Sequence, residues 1–212
     1  MGISLQRLEK YNEALKAFEK CAEIDPNDAN TQYGMAIAYK KLDKTDQEID
    51  GYKKAIKLDK QFKTAHYNLG VAYKRREQYK EAIIAYNNAI AIDPNYKSAH
   101  YNIAICFSRI KQYELAIDSY KRVVQIDENN IDGYCNMGVC YNQLQKYYEA
   151  IRAFEIGLEK NPFDVLCMCN MGISYQKLEM FDEAIEQYKK TLEIDPNFVE
   201  AKFNIKYCKT QL

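Results

Sequence analysis

The stretch "AHYNLGVAY", residues 65–73, returns 34 residues later as "AHYNIAICF", residues 99–107. Asparagine is a weaker helix former than alanine or leucine. It nevertheless recurs at one phase as Asn68, Asn102, Asn136, Asn170 and Asn204. A second marker keeps the same period: "IDPND" at 24–28, "LDKQF" at 58–62, "IDPNY" at 92–96, "IDENN" at 126–130, "KNPFD" at 160–164 and "IDPNF" at 194–198. A fixed period of this length marks a repeat architecture, in which each unit buries its apolar face only by stacking on its neighbours.

Between the turn markers the apolar spacing is helical. In residues 63–96, Leu69, Gly70 and Tyr73 form one stripe, and Tyr79, Ala82, Ile83, Tyr86, Ala89 and Ile90 a second. Two amphipathic stretches joined by a short polar turn such as "KRREQ" read as a helix–turn–helix. Pro94 cannot continue a helix interior, so the second helix is expected to stop near Ile92. Small residues at Gly70, Gly138, Gly172, Ala82, Ala116 and Ala150 are expected to let paired helices approach closely, with aromatic residues filling the space between pairs.

Residues 63–96 carry His66, Leu69, Gly70, Tyr73, Ala82, Tyr86, Ala89 and Pro94 at repeat positions 4, 7, 8, 11, 20, 24, 27 and 32. Residues 131–164 carry Tyr134, Met137, Gly138, Tyr141, Ala150, Phe154, Gly157 and Pro162 at the same positions. This pattern resembles the tetratricopeptide repeat, and the resemblance covers essentially the whole chain. It implies an all-α, right-handed superhelical solenoid. On this register the chain is one array: a partial repeat (1–28), full repeats at 29–62, 63–96, 97–130, 131–164 and 165–198, and a C-terminal capping helix (199–212). Met1 and Gly2 align with positions 7 and 8, so the first helix is expected to lack its opening turn and a half. Lys206 and Lys209 replace the Gly and Tyr of the pattern, as a charged capping face requires. Glu48 stands where the family has alanine. An unpaired buried carboxylate is costly, so Glu48 is expected to turn outward, with looser packing around it.

Thirty basic and thirty acidic residues cancel, which argues against nucleic-acid binding through a basic surface. No apolar run is long enough to span a bilayer, and "MGISLQRLEK" has no signal-peptide pattern. Seven cysteines without framework spacing point to reduced thiols and a cytoplasmic chain, with a nuclear or ciliary placement open. Cys135, Cys140, Cys167 and Cys169 are expected as buried or groove-lining thiols. His66 and His100 fall on the packing side and read as substitutes for an apolar residue, not as a metal pair. No GxGxxG, P-loop, HExxH or GxSxG motif occurs. The reading is therefore a non-enzyme with no cofactor and no metal.

On a helical wheel, positions 2, 5, 6, 9 and 13 lie opposite positions 4, 7, 8 and 11. In the family that face of each first helix lines a concave groove. The resemblance thus implies a ladder of Asn68, Asn102, Asn136, Asn170 and Asn204, interrupted at Gly34. Similar ladders hold peptide backbones in the repeat domains of O-linked N-acetylglucosamine transferase and peroxisomal targeting receptors. A carboxamide matches a peptide bond because it both donates and accepts. Position 5 contributes Tyr33, Tyr67 and Tyr101, then Cys135, Cys169 and Phe203. Position 9 contributes Ile37, Val71, Ile105, Val139 and Ile173, which together make a solvent-facing apolar stripe. Lys74, Arg75 and Arg109, with Lys40, Lys41, Arg76 and Lys111, form a basic rim that would suit acidic groups; equally, cations favour helix C-termini. The asparagines themselves admit two readings, backbone recognition or repeat geometry. Position 5 is never Lys and position 9 never Asn, which argues against the chaperone-tail carboxylate clamp of some family members.

The function expected is an adaptor that binds an extended peptide segment of a protein partner, with an affinity on the order of micromolar. The alternatives are a regulatory repeat segment of a larger enzyme such as a glycosyltransferase, and a structural subunit of a large complex in ciliary, transport or cell-cycle machinery.

Overall fold

A computed structural model describes residues 2–212; Met1, assigned above to repeat position 7, lies outside the described residues. Thirteen helices and no strand occur among the described residues. They are α1 (Gly2–Arg7), α2 (Tyr11–Ile24), α3 (Ala29–Lys41), α4 (Thr45–Leu58), α5 (Lys63–Arg75), α6 (Tyr79–Ile92), α7 (Lys97–Arg109), α8 (Tyr113–Ile126), α9 (Ile131–Gln143), α10 (Tyr147–Lys160), α11 (Val165–Lys177), α12 (Phe181–Ile194) and α13 (Val199–Lys209). The chain divides into two compact units within α7, one ending at Cys106 and the other beginning at Phe107.

Local chemistry sets the two kinds of turn. The first helix of each pair ends in a left-handed residue: Glu9, Asp43, Glu77, Lys111, Gln145 and Glu179 have φ between 55° and 60°. The backbone closes around them as a Schellman motif. Lys44 N, for example, donates to Tyr39 O at 3.0 Å and Asp43 N to Lys40 O at 3.3 Å, which satisfies carbonyls the helix leaves open. The second helix of each pair ends on an extended Asp or Asn. There Asp25, Asp59, Asp93, Asp127, Asn161 and Asp195 each accept from the backbone N–H two residues on, at 2.9–3.2 Å. These Asx turns redirect the chain into the next first helix. Asp28, Asn130 and Asp164 cap the helices that follow them.

Packing follows the expected pairing. Tyr52, Tyr86, Phe154 and Tyr188 are fully buried, and so are Ala82, Ala116 and Ala150. A Cβ on Gly138 would stand 2.6 Å from Cε1 of Phe154, and one on Gly70 2.6 Å from Cε1 of Tyr86. The aromatic ring of the second helix thus occupies the space that a side chain on the first would need.

Glu48 departs from expectation. It is fully buried, not turned outward, because Arg75, on α5 of the following pair, reaches back and ion-pairs with its Oε2. Arg76 bonds Asp46 on the same helix as Glu48 at 2.5 Å. The other Glu48 oxygen has no partner among the described residues. His66 and His100 lie on the packing side, where their Nε2 atoms meet the carbonyls of Lys60 and Pro94 at 3.1 and 2.9 Å. Each ties its helix to the turn before it.

Candidate functional site

In the first unit, α3, α5 and α7 bring the predicted tyrosines and asparagines together as linked pairs. The Tyr33 ring packs on Tyr52 and Phe62, with centroids 5.7 and 4.9 Å away. Tyr67 packs in the same way on Tyr86 and Tyr96, at 5.6 and 5.1 Å. Held so, each phenol oxygen accepts from the asparagine of the next repeat: Asn68 Nδ2 donates to Tyr33 at 2.7 Å, and Asn102 Nδ2 to Tyr67 at 3.1 Å. A hydroxyl that accepts one bond keeps its own proton to donate.

The two asparagines are not equivalent. Asn102 is buried, at 8% exposure. Its Nδ2 also donates to Ser98 O at 2.8 Å, and its oxygen takes Lys74 Nζ at 2.5 Å. It is fully engaged inside the protein. Asn68 is half-buried, and among the described residues its oxygen accepts no hydrogen bond. At the preceding asparagine position, a Cβ on Gly34 would meet the Phe18 ring at 2.5 Å, so the ring fills that place. Tyr101 is half-buried.

The second unit presents different chemistry at the same positions, because Cys135 and Cys169 stand where the first unit has tyrosine. Asn170 Nδ2 turns back to Leu166 O at 2.8 Å. Ser174 Oγ donates to Asn142 Oδ1 at 2.8 Å, and Asn142 Nδ2 reaches Asn170 O at 3.4 Å. Asn204 bonds the buried Tyr188 phenol. Asn136 is half-buried and engaged in an interaction of its own. Cys135 and Cys167 are joined as a disulfide, a correction to the expectation of reduced thiols. The physical reason lies at Gly157, where a Cβ would stand 3.0 and 3.2 Å from the two sulfurs. Burial pushes the Cys106 thiol up to about 11 and that of Cys169 up to about 12, so neither is a thiolate near neutrality.

The apolar stripe is partly exposed and partly packed. Ile37, Val71, Ile105, Val139 and Ile173 are half-buried, and Ile37, Val139 and Ile173 pack against core clusters. Each keeps part of its surface open to solvent. Of the position-5 residues, Phe203 is the one largely exposed. The basic rim is partly spent internally: Lys74 on Asn102, Arg75 on Glu48, and Lys41 lying 6.0 Å over the Tyr11 ring. Arg109 is exposed. Among the described residues no group of three or more His, Cys, Asp or Glu could hold a metal ion, and no helix is long and apolar enough to cross a membrane. Sequence reasoning missed the tyrosine–asparagine bond. Its signal was present in the 35-residue offset shared by Tyr33 with Asn68 and Tyr67 with Asn102.

Paired helices closed by Schellman turns, repeated at a fixed period and stacked on buried aromatics, define an α-helical repeat protein. The chain belongs to the tetratricopeptide repeat family. Models of that repeat match residues 64–96, 98–130, 131–164 and 165–198, others match 1–28 and 29–62, and a TPR repeat model matches 49–76. Proteins of this family mediate protein–protein interactions. No curated protein sequence matches the chain. Among solved structures it is similar to YrrB, described as a TPR protein with an unusual peptide-binding site, at 26% identity over 91% of this chain and 99% of that one, TM-score 0.80. It is similar to MamA at 26% identity over 76% and 95% of the two chains, TM-score 0.72. The C-terminal part of a repeat protein from Cytophaga hutchinsonii shares the fold at 18% identity over 98% and 83%, TM-score 0.82.

Proposed function

We propose that the chain is a non-catalytic adaptor that holds an extended segment of a partner protein, with the tyrosine–asparagine face of α3, α5 and α7 as its main contact. One observation carries this reading. Tyr33 and Tyr67 are each fixed by two aromatic rings and by an asparagine donor, so their hydroxyl protons are pre-positioned one repeat apart. Such donors match successive carbonyls of an extended chain, while the half-buried Asn68 oxygen offers an acceptor for a backbone N–H. Because the rings are already ordered, binding loses little side-chain entropy. The similarity to YrrB, a protein described by its peptide-binding site, supports the same reading. Further contacts are proposed within each unit by itself: Ile37, Val71, Lys74, Arg75 and Ile105 in the first, and Arg109, Asn136, Val139, Asn170, Ile173 and Asn204 in the second.

The test is capture of extended peptides from a broad array by the wild type and by an Asn102→Ala/Asn136→Ala/Asn170→Ala variant, with circular dichroism on both. Loss of capture by a folded variant is the expected outcome. Equal capture by the two would assign the asparagines to repeat geometry alone.

A further inference from the structure

A second site lies in the second unit, on the side of α11 away from Asn170. An open pocket of about 620 Å³ is floored by Met168 and Met171 on α11 and walled by Leu158 on α10 and Gln187 on α12. That volume is in the ordinary range of ligand pockets, about 300–1,000 Å³. The two methionines and Gln187 are all more than nine-tenths buried. Gln187 is the informative residue. Its side-chain amide makes no hydrogen bond among the described residues, although it lines the pocket. The amide is not among the buried polar atoms that lack a partner; it opens into the pocket, where its donor and acceptor are free to bond a ligand.

The rim adds further acceptors. Glu155 and Glu159 stand at the mouth with no ion pair among the described residues. The one lysine there, Lys190, is held by Glu186 at 2.6 Å. Burial, helped by Glu155, Glu183 and Glu186 against the pull of Lys190, pushes the Tyr175 phenol up. Pro162, which also lines the pocket, holds the position equivalent to Lys60 and Pro94. Those two carbonyls are met by His66 and His100, but the corresponding residue here is Met168, whose side chain has no N–H to offer. The Pro162 carbonyl therefore lacks the partner that its counterparts have.

An apolar, adaptable methionine floor beneath a rim of carboxylates and an open carbonyl selects one kind of occupant. We infer that this pocket docks a segment of a partner protein carrying one large apolar side chain flanked by arginine or lysine. The apolar group would enter over Met168 and Met171, the cations would meet Glu155, Glu159 and the Pro162 carbonyl, and the Gln187 amide would bond the segment's backbone. This site is independent of the tyrosine–asparagine face.

The experiment labels the methionine methyls of the full chain with 13C and titrates a short capped peptide containing one phenylalanine between pairs of arginines. The Met168 and Met171 signals should move while those of Met35 and Met137 stay. A Glu155→Lys/Glu159→Lys variant, altered only at exposed positions, should bind roughly tenfold or more weakly, and Gln187→Leu should also weaken binding. Tyr33→Phe/Tyr67→Phe should leave it unchanged. Still methyl signals at millimolar peptide, equal binding by the Glu155→Lys/Glu159→Lys variant, or equal binding of an analogue with glutamate in place of arginine would each overturn the proposal.

Discussion

At the scale of single residues, Glu48 shows how pairing and burial compete. Removal from water raises its pKa, and that effect outweighs the opposing pull of Arg75 and Lys40. A carboxyl whose folded pKa is raised binds its proton more tightly in the folded state than in the unfolded one. Its contribution is therefore greatest at low pH and is lost as pH rises through the folded value. Compared with a Glu48→Gln variant, the wild type should lose melting temperature as pH climbs above the ordinary carboxylate value of 4.5. A wild type that gains relative to the variant over that range would show that the Arg75 pair outweighs burial. The burial of Glu48 was not legible in the sequence, because it depends on one arginine side chain folding back from the next helix pair. Nothing in the position of Arg75 distinguishes it from the lysines and arginines at other helix ends.

At the scale of helix pairs, most of the structure follows from pattern. The period, the helix ends at Asp-Pro and the close approach at glycine were all readable, since each rests on local chemistry. The left-handed turn residues were not, because Glu, Asp, Lys and Gln are not the residues that announce positive φ. That oversight supplies a prediction. Replacing Glu77 with Gly should stabilise the fold by about 1 kcal/mol, because Gly escapes the Cβ crowding of the left-handed region; urea denaturation would measure it, and a lower midpoint would contradict the turn geometry. Gly138→Leu should do the reverse. With Phe154 already in place beneath it, overpacking should cost roughly 1–3 kcal/mol, and an unchanged denaturation curve would rule out the pairing of α9 with α10. The Cys135–Cys167 bond crosses the second unit with a sequence separation of 32 residues, off the repeat period, so spacing alone gave no hint of it. On chain-entropy grounds its reduction should cost about 3–4 kcal/mol. Thiol counting on the unreduced chain should find five free cysteines, and seven would refute the bond.

For the whole molecule, a net charge of zero conceals a division. Residues up to Cys106 carry 17 basic and 14 acidic side chains, and those from Phe107 onward 13 and 16. The phenol-bearing face belongs to the first unit and the acid-rimmed methionine pocket to the second, so the two units are suited to different segments. The tyrosine–asparagine face was half legible: the asparagines stood out by period, but their bonding to tyrosine required the fold. The direct measurement is titration calorimetry of a peptide selected from the array, against the wild type and a Tyr33→Phe/Tyr67→Phe variant. The variant keeps both rings and loses only the hydroxyls. With each lost hydrogen bond worth about 0.5–1.5 kcal/mol, the account predicts affinity roughly ten- to a hundredfold weaker in a variant that still folds, its melting temperature lowered by the loss of the two asparagine–tyrosine bonds. Identical affinity in the two proteins would contradict it and move peptide recognition away from this face.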